Sequence, residues 1–168
     1  MLTVACVYKT FTDFRTGGSY DASWIQKLQR AVSRNLTVPH RFVCLSNSFV
    51  PEVDVIPLQN DWTGWWSKIE MFRPGLFNGP VLSLDLDVTF TSNIDFMAGP
   101  FPNMMMLKDI VPTIKNSTCM WWDATDPRYG EIYERFRRDP KGLMEFHHLF
   151  NMQSMGDQGF ITDTVTEM

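Results

Sequence analysis

"VLSLDLDVTF", residues 81–90, decides the fold. Valine and leucine alternate with small or polar residues, the signature of a β-strand, and the run delivers Asp85 and Asp87 with one apolar residue between them. Alternate side chains of a strand point the same way, so the pattern predicts a strand over 80–86 with both aspartates on one side. Two like charges at the end of an apolar strand cost folding energy unless a cation or a proton compensates them. In an open α/β sheet, ligands bind beyond the carboxyl ends of the strands, where Asp85-Leu86-Asp87 falls. Mg²⁺ or Mn²⁺ prefers hard oxygen ligands and accepts phosphate and water in its remaining positions. A cation held there would neutralise a diphosphate leaving group. The plainer reading has Asp87 end the strand and Asp85 cap a turn.

Working outward, "TVACVY" (3–8) reads as a first strand, and "FTDFRTGGSY" (11–20) as a loop broken by its paired glycines. Trp24, Ile25, Leu28, Val32 and Leu36 recur at helical spacing until Pro39 stops the pattern. "RFVCLS" (41–46) and "VDVIPL" (53–58) are short strands, the second placed at an edge by Pro57. "GWWSKIEMFRPG" (64–75) reads as a short helix with Trp65, Ile69 and Phe72 on one face. Downstream, "NMMMLK" (103–108) and "STCMWW" (117–122) are strand candidates, 127–138 is a helix, and a second helix is expected over 142–151. "GDQGFITD" (156–163) closes the readable pattern. Strands alternating with helices and then clustering predict one compact α/β domain over 1–168, with a mixed, mostly parallel sheet flanked by helices.

Composition sets outer limits. The chain has 168 residues, 44% hydrophobic and 20% charged, enough for a real core. No apolar run approaches a membrane span, and "MLTVACVYKT" lacks the basic start and cleavage site of a signal peptide. Cys6, Cys44 and Cys119 stand singly in apolar segments, as reduced thiols of a cytoplasmic protein do. A net charge of −4 argues against a general DNA-coating role, although "ERFRRDPK" (134–141) supplies a small basic run.

"LSLDLDVTF" also resembles the first motif of haloacid-dehalogenase-type phosphatases, in which Asp85 would be the nucleophile. Against this, about eighty residues precede the motif here, and "FNMQSM" before Gly156 is not the apolar strand that family's later motif requires.

The ordered set Val7-Tyr8-Lys9, "GWWSKIEMFRPGLF", "GPVLSLDLDVTF", "NSTCMWW" and "GDQGFI" resembles GT-A-type glycosyltransferases, whose fold is Rossmann-like. The likeness is to small bacterial and phage-encoded proteins related to the glycogenin and lipopolysaccharide galactosyltransferase family, and it runs over nearly the whole chain. It implies transfer of a sugar from a nucleotide-diphosphate sugar, a UDP-sugar foremost. By position, Val7 and Tyr8 would pack on the nucleoside, Lys68 and Trp66 would face the donor, and Asp85 and Asp87 would bind Mn²⁺ or Mg²⁺, with Asp85 also near the ribose. Asn116 and Ser117 would line the sugar pocket, and Asp157 and Gln158 would sit beside the reacting carbon. The acceptor implied is a glycan, or a modified DNA base if the chain is phage-encoded, acting then in the host cytoplasm. Relatives add a third metal ligand, a histidine, after the Asp-Gln pair, whereas here no histidine follows His148. One of His147 and His148 replaces it, or the metal keeps an extra water, or the site is incomplete. A reduced acceptor half leaves room for a second subunit or the acceptor itself to close the site, and a shortened fold that only binds a nucleotide or a partner is the non-enzymatic alternative.

Overall fold

The computed structural model of the chain describes residues 1–9, 20–110, 113–147 and 156–168. The first apolar run forms β1 (Leu2–Tyr8), buried along nearly all its length as a strand covered on both faces must be. The helical pattern forms α1 (Ala22–Asn35), whose N-cap Asp21 accepts a hydrogen bond from the Ser23 N–H. β2 (His40–Ser46) and β3 (Asp54–Pro57) follow, each pairing parallel, so that Pro57 stands on an edge strand as expected. β4 (Pro80–Leu84) then returns to the other side of β1, again parallel to it. β5 (Met105–Lys108) and β6 (Lys115–Asp123) complete a six-stranded sheet in the order β3-β2-β1-β4-β6-β5, with β6 antiparallel to both its neighbours. The mixed, mostly parallel sheet flanked by helices is the architecture the sequence predicts. Among the described residues, no helix is long and apolar enough to cross a membrane.

Each face of the sheet carries its own core. On one, Ile25, Leu28 and Val32 of α1 pack on Val4, Cys6, Leu82 and Leu84. The other is covered by a 3₁₀ helix (Gly64–Phe72), α2 (Gly130–Arg138) and, beyond α3 (Pro140–Phe146), by α4 (Gly156–Thr166). Aromatic rings fill that side: Trp66 stacks on Phe136 at 5.0 Å, and Phe160 lies 5.3 Å from Phe136.

Some expectations shift, and others fall outside the described residues. β4 stops at Leu84, so the two aspartates lie in the turn beyond it rather than on the strand. The segment 64–72 winds as a 3₁₀ helix with about three residues per turn, so its rows run at spacing three. Trp66, Ile69 and Phe72 therefore make the core row, and Trp65 packs against its margin, partly buried. α3 ends at Phe146, and residues 148–155, including His148 and the rest of the helix expected to 151, lie outside the described residues, as does the loop expected over 11–20 except Tyr20. "GDQGFITD" is helical, forming most of α4. His147 is a core histidine, buried against Phe160.

One buried carboxylate fixes how the 3₁₀ helix meets the sheet. Glu70 is fully buried and accepts hydrogen bonds from the backbone N–H groups of Gln59 and Asn60, both at 2.8 Å, while Arg73 pairs with it at 3.0 Å. Glu70→Gln replaces one accepting oxygen by an NH₂ group, leaving a buried donor facing a donor. A loss of about 1–3 kcal/mol is expected, read as a fall of roughly 2–4 °C in Tm per kcal/mol in thermal denaturation. An unchanged Tm would mean that these bonds are replaced by solvent.

Candidate functional site

The chain runs β1 to β2 to β3 in one direction across the sheet, then places β4 on β1's opposite side. β1 and β4 are thus parallel neighbours whose following connections leave in opposite directions, and a crevice opens at their carboxyl ends. A cleft of about 200 Å³ lies there. Val7, Tyr8 and Lys9 from the end of β1 form one wall, and Leu84, Asp85, Leu86 and Asp87 from the end of β4 form another. The 3₁₀ helix closes it with Trp65, Lys68 and Met71. These three recur at spacing three, the row of that winding that faces the cleft.

At the floor, Lys68 is buried and its ammonium lies 2.8 Å from Asp85 Oδ1, 3.3 Å from Asp157 Oδ2 and 3.0 Å from Ser117 Oγ. Ser117 in turn donates to Asp157 Oδ2 at 2.9 Å. The topology explains the convergence. β6 runs antiparallel to β4 with Cys119 opposite Leu84, and the Asp85 N–H bonds the Thr118 carbonyl, which brings Ser117 beside Asp85. Asp157 arrives on the first turn of α4, where a carboxylate also complements the helix dipole. Gly156 permits that entry: its φ is +61°, and a Cβ there would meet Trp65 Nε1 at 3.0 Å.

Burial works against the Lys68 charge, but the Asp157 and Asp85 carboxylates outweigh it and hold the ammonium above its ordinary range. Burial pushes the Asp85 carboxyl up, and Lys68 opposes this only in part, so the carboxyl stays above its ordinary range. An ammonium has three N–H donors, and those of Lys68 are taken up by the Asp85 and Asp157 carboxylates and by Ser117, through its hydroxyl at 3.0 Å and its carbonyl at 3.4 Å. Lys68 is therefore the organiser of the carboxylates. Beyond them, Asp87 is exposed at the cleft and accepts from the Tyr20 hydroxyl at 3.1 Å. Lys9 is tied to Asp61 at 2.6 Å and to the Trp62 carbonyl at 2.7 Å. With Lys9 paired, three carboxylates against the Lys68 ammonium leave the floor and mouth with two net negative charges.

That charge tests the fit of a divalent cation. Among the described residues, no group of three or more His, Cys, Asp or Glu side chains is placed to hold a metal. The donor set is instead two hard carboxylates open to a cleft, which fits Mg²⁺ or Mn²⁺ taking its other ligands from phosphate and water. Cys119 lies near Asp85, but burial pushes its thiol up to about 11, so it is no nucleophile at neutral pH.

The residues expected from sequence separate into three sets. Val7, Tyr8, Lys68, Asp85 and Asp87 line one cleft. Ser117 and Asp157 reach it through Lys68. Asn116 and Gln158 do not: their side-chain amides both donate to Asp109 Oδ2, at 3.0 and 3.2 Å. Trp66 belongs to the core, and Trp65 lines the cleft in its place. Tyr20 and Met71 are cleft residues that no sequence pattern marked. A three-residue count from Lys68 would have found Met71; nothing local singles out Tyr20.

No family model matches the chain, and no curated protein matches it in sequence. Solved structures do resemble it. The crystal structure of the glycosyltransferase GlyE in Streptococcus pneumoniae TIGR4 superposes with a TM-score of 0.68 at 12% identity, over 98% of this chain and 43% of that one. The shared fold is that of a glycosyltransferase. The apo-form crystal structure of the same GlyE agrees, with a TM-score of 0.64 at 14% identity and the same coverage. This chain spans less than half the length of those glycosyltransferase chains. At such identity the likeness is one of fold, and function rests on the site.

Proposed function

We propose that the protein is a metal-dependent glycosyltransferase that moves a sugar from a UDP-sugar to a second substrate, a glycan or a modified DNA base. One observation carries this reading: Asp85, Asp87 and the Lys68–Asp157 pair converge on a single cleft at the β1/β4 switch point. The glycosyltransferase-like fold supports it.

The nucleoside would lie along Val7 and Tyr8, with Trp65 offering an aromatic wall. A diphosphate entering a cleft of net negative charge is repelled unless a cation accompanies it. Asp85 and Asp87 would hold that cation, which supplies charge neutralisation when bound. Transfer breaks the bond between the anomeric carbon and the diphosphate oxygen, with the electron pair leaving on the diphosphate. The acceptor oxygen forms the new bond to the anomeric carbon, and its proton passes to the departing diphosphate or to water. Preorganised charge is what such a reaction needs most, because the leaving group is already activated. Lys68 keeps Asp85 and Asp157 in place before substrate arrives, and Asp157, paired with Lys68 and Ser117, would help orient the sugar.

A panel of nucleotide-sugars with and without Mn²⁺ tests the reading by thermal shift and by release of nucleoside diphosphate. The expected result is a Mn²⁺-dependent rise in Tm with a UDP-sugar, accompanied by slow UDP release. Turnover of a simple phosphomonoester that Asp85→Asn abolishes would support a phosphatase instead. Binding with no release from any sugar nucleotide and any acceptor would support a nucleotide-binding protein.

A further inference from the structure

Asp87 is the exposed member of the carboxylate pair, and it lies in a turn past the last residue of β4. A carboxylate in such a place has rotamer freedom that must be lost before it grips a ligand. The structure constrains it from an element remote in sequence. The Tyr20 hydroxyl donates to Asp87 Oδ2 at 3.1 Å. Tyr20 directly precedes Asp21, the N-cap of α1, and its ring stands edge-on to Trp24 on the first turn of that helix, at 5.2 Å and 82°. Tyr20 is half-buried, and both it and Asp87 line the cleft. A line of contacts thus runs from α1 through Trp24 and Tyr20 to the turn after β4.

We propose that Tyr20 is a positioning residue for cation binding, its hydroxyl engaging Oδ2 of Asp87 and so presenting Oδ1 to the metal. The proposal rests on the reading that Asp87 is a cation ligand. A neutral phenol is a suitable partner: it donates to the carboxylate without cancelling the charge that a metal needs. A cationic partner at the same oxygen would compete with the metal, as Lys68 does at Asp85. The two carboxylates are therefore held differently, Asp85 by an ammonium from below and Asp87 by a neutral donor from the side. Asp87 then retains more of its charge for an incoming cation. Hydrogen bonds that orient metal ligands commonly set affinity by 10–100-fold. The solvent-facing position of this one places it near the lower end, at about tenfold.

Tyr20→Phe keeps the ring and its contact with Trp24 and removes only the donor. UDP binding measured by calorimetry at a series of Mn²⁺ concentrations gives the Mn²⁺ midpoint for wild type, Tyr20→Phe, Asp87→Ala and the double variant. The inference expects a midpoint raised roughly tenfold in Tyr20→Phe, an unchanged Tm without ligand, and no further loss when Tyr20→Phe is added to Asp87→Ala. A Tyr20→Phe midpoint equal to wild type, with Asp87→Ala still losing its Mn²⁺ response, overturns the inference and leaves the cation site standing. Equal weakening of UDP binding by Tyr20→Phe in both backgrounds also overturns it, since that is a plain packing effect. A wild type indifferent to Mn²⁺, or an Asp87→Ala variant with full Mn²⁺ response, overturns both the cation site and the inference.

Discussion

Lys68→Met should destabilise the ligand-free protein by about 3–5 kcal/mol, the usual cost of removing one partner from a buried charged pair. For a chain of this length that is a fall of roughly 6–20 °C in Tm. The reason lies in what stays behind. Asp157 is buried, Asp85 is half-buried, and the ammonium between them contacts both within 3.3 Å. Methionine fills most of the stem's volume but offers no charge, so two carboxylates are left sharing one poorly solvated site with Ser117. Such a pair relieves itself by taking up a proton. The variant should accordingly regain stability on acidification relative to wild type, because the folded state then binds more protons than the unfolded chain. Adding Asp157→Asn to Lys68→Met should restore part of the loss at neutral pH. If Lys68→Met melts like wild type, the triad is not the organising element of the site.

The second large effect concerns ligand binding. In the free protein the cleft carries more carboxylates than cationic groups to balance them, so UDP alone should bind weakly. Mn²⁺ should tighten it by at least tenfold, and Asp87→Ala should remove that gain, a loss on the order of a hundredfold if it is a direct ligand, since even outer contacts are worth 10–100-fold. Asp87 is the better choice for this test than Asp85. It is exposed and outside the Lys68 triad, so its replacement leaves the buried ion pairs intact. Asp85→Ala would confound metal loss with destabilisation, because it strips Lys68 of a partner at 2.8 Å.

How much of this was legible in the sequence follows from which physical signals are local. β1, β2 and β3 announced themselves as apolar runs with turn residues at their ends, and Pro57 gave away the edge. The carboxylate pair was visible for the same reason, as charge abruptly ending an apolar strand. The 3₁₀ winding was not, because α and 3₁₀ helices use the same residues and differ only in period. A reading at 3.6 residues per turn puts Trp65 on the Ile69–Phe72 face, whereas the actual period of three hands Trp65, Lys68 and Met71 to the cleft and Trp66 to the core. α4 lacked a signal of its own. It is buried on several sides, with Asp157, Thr162 and Thr164 inside along with Phe160 and Ile161, so no polar stripe marks an outer face. The Asp157-Gln158 pair was found by resemblance alone, and the structure divides it: Asp157 turns to Lys68 and Gln158 to Asp109. Tyr20 was out of reach because its meaning depends on a partner 67 positions away.

The most direct test of the account is one calorimetric comparison: UDP titrated into wild type and into Asp87→Ala, each with and without Mn²⁺. The account predicts that Mn²⁺ strengthens binding to wild type by at least tenfold and leaves Asp87→Ala at its metal-free affinity. Equal Mn²⁺ responses in the two proteins, or UDP binding that ignores Mn²⁺ altogether, would contradict it.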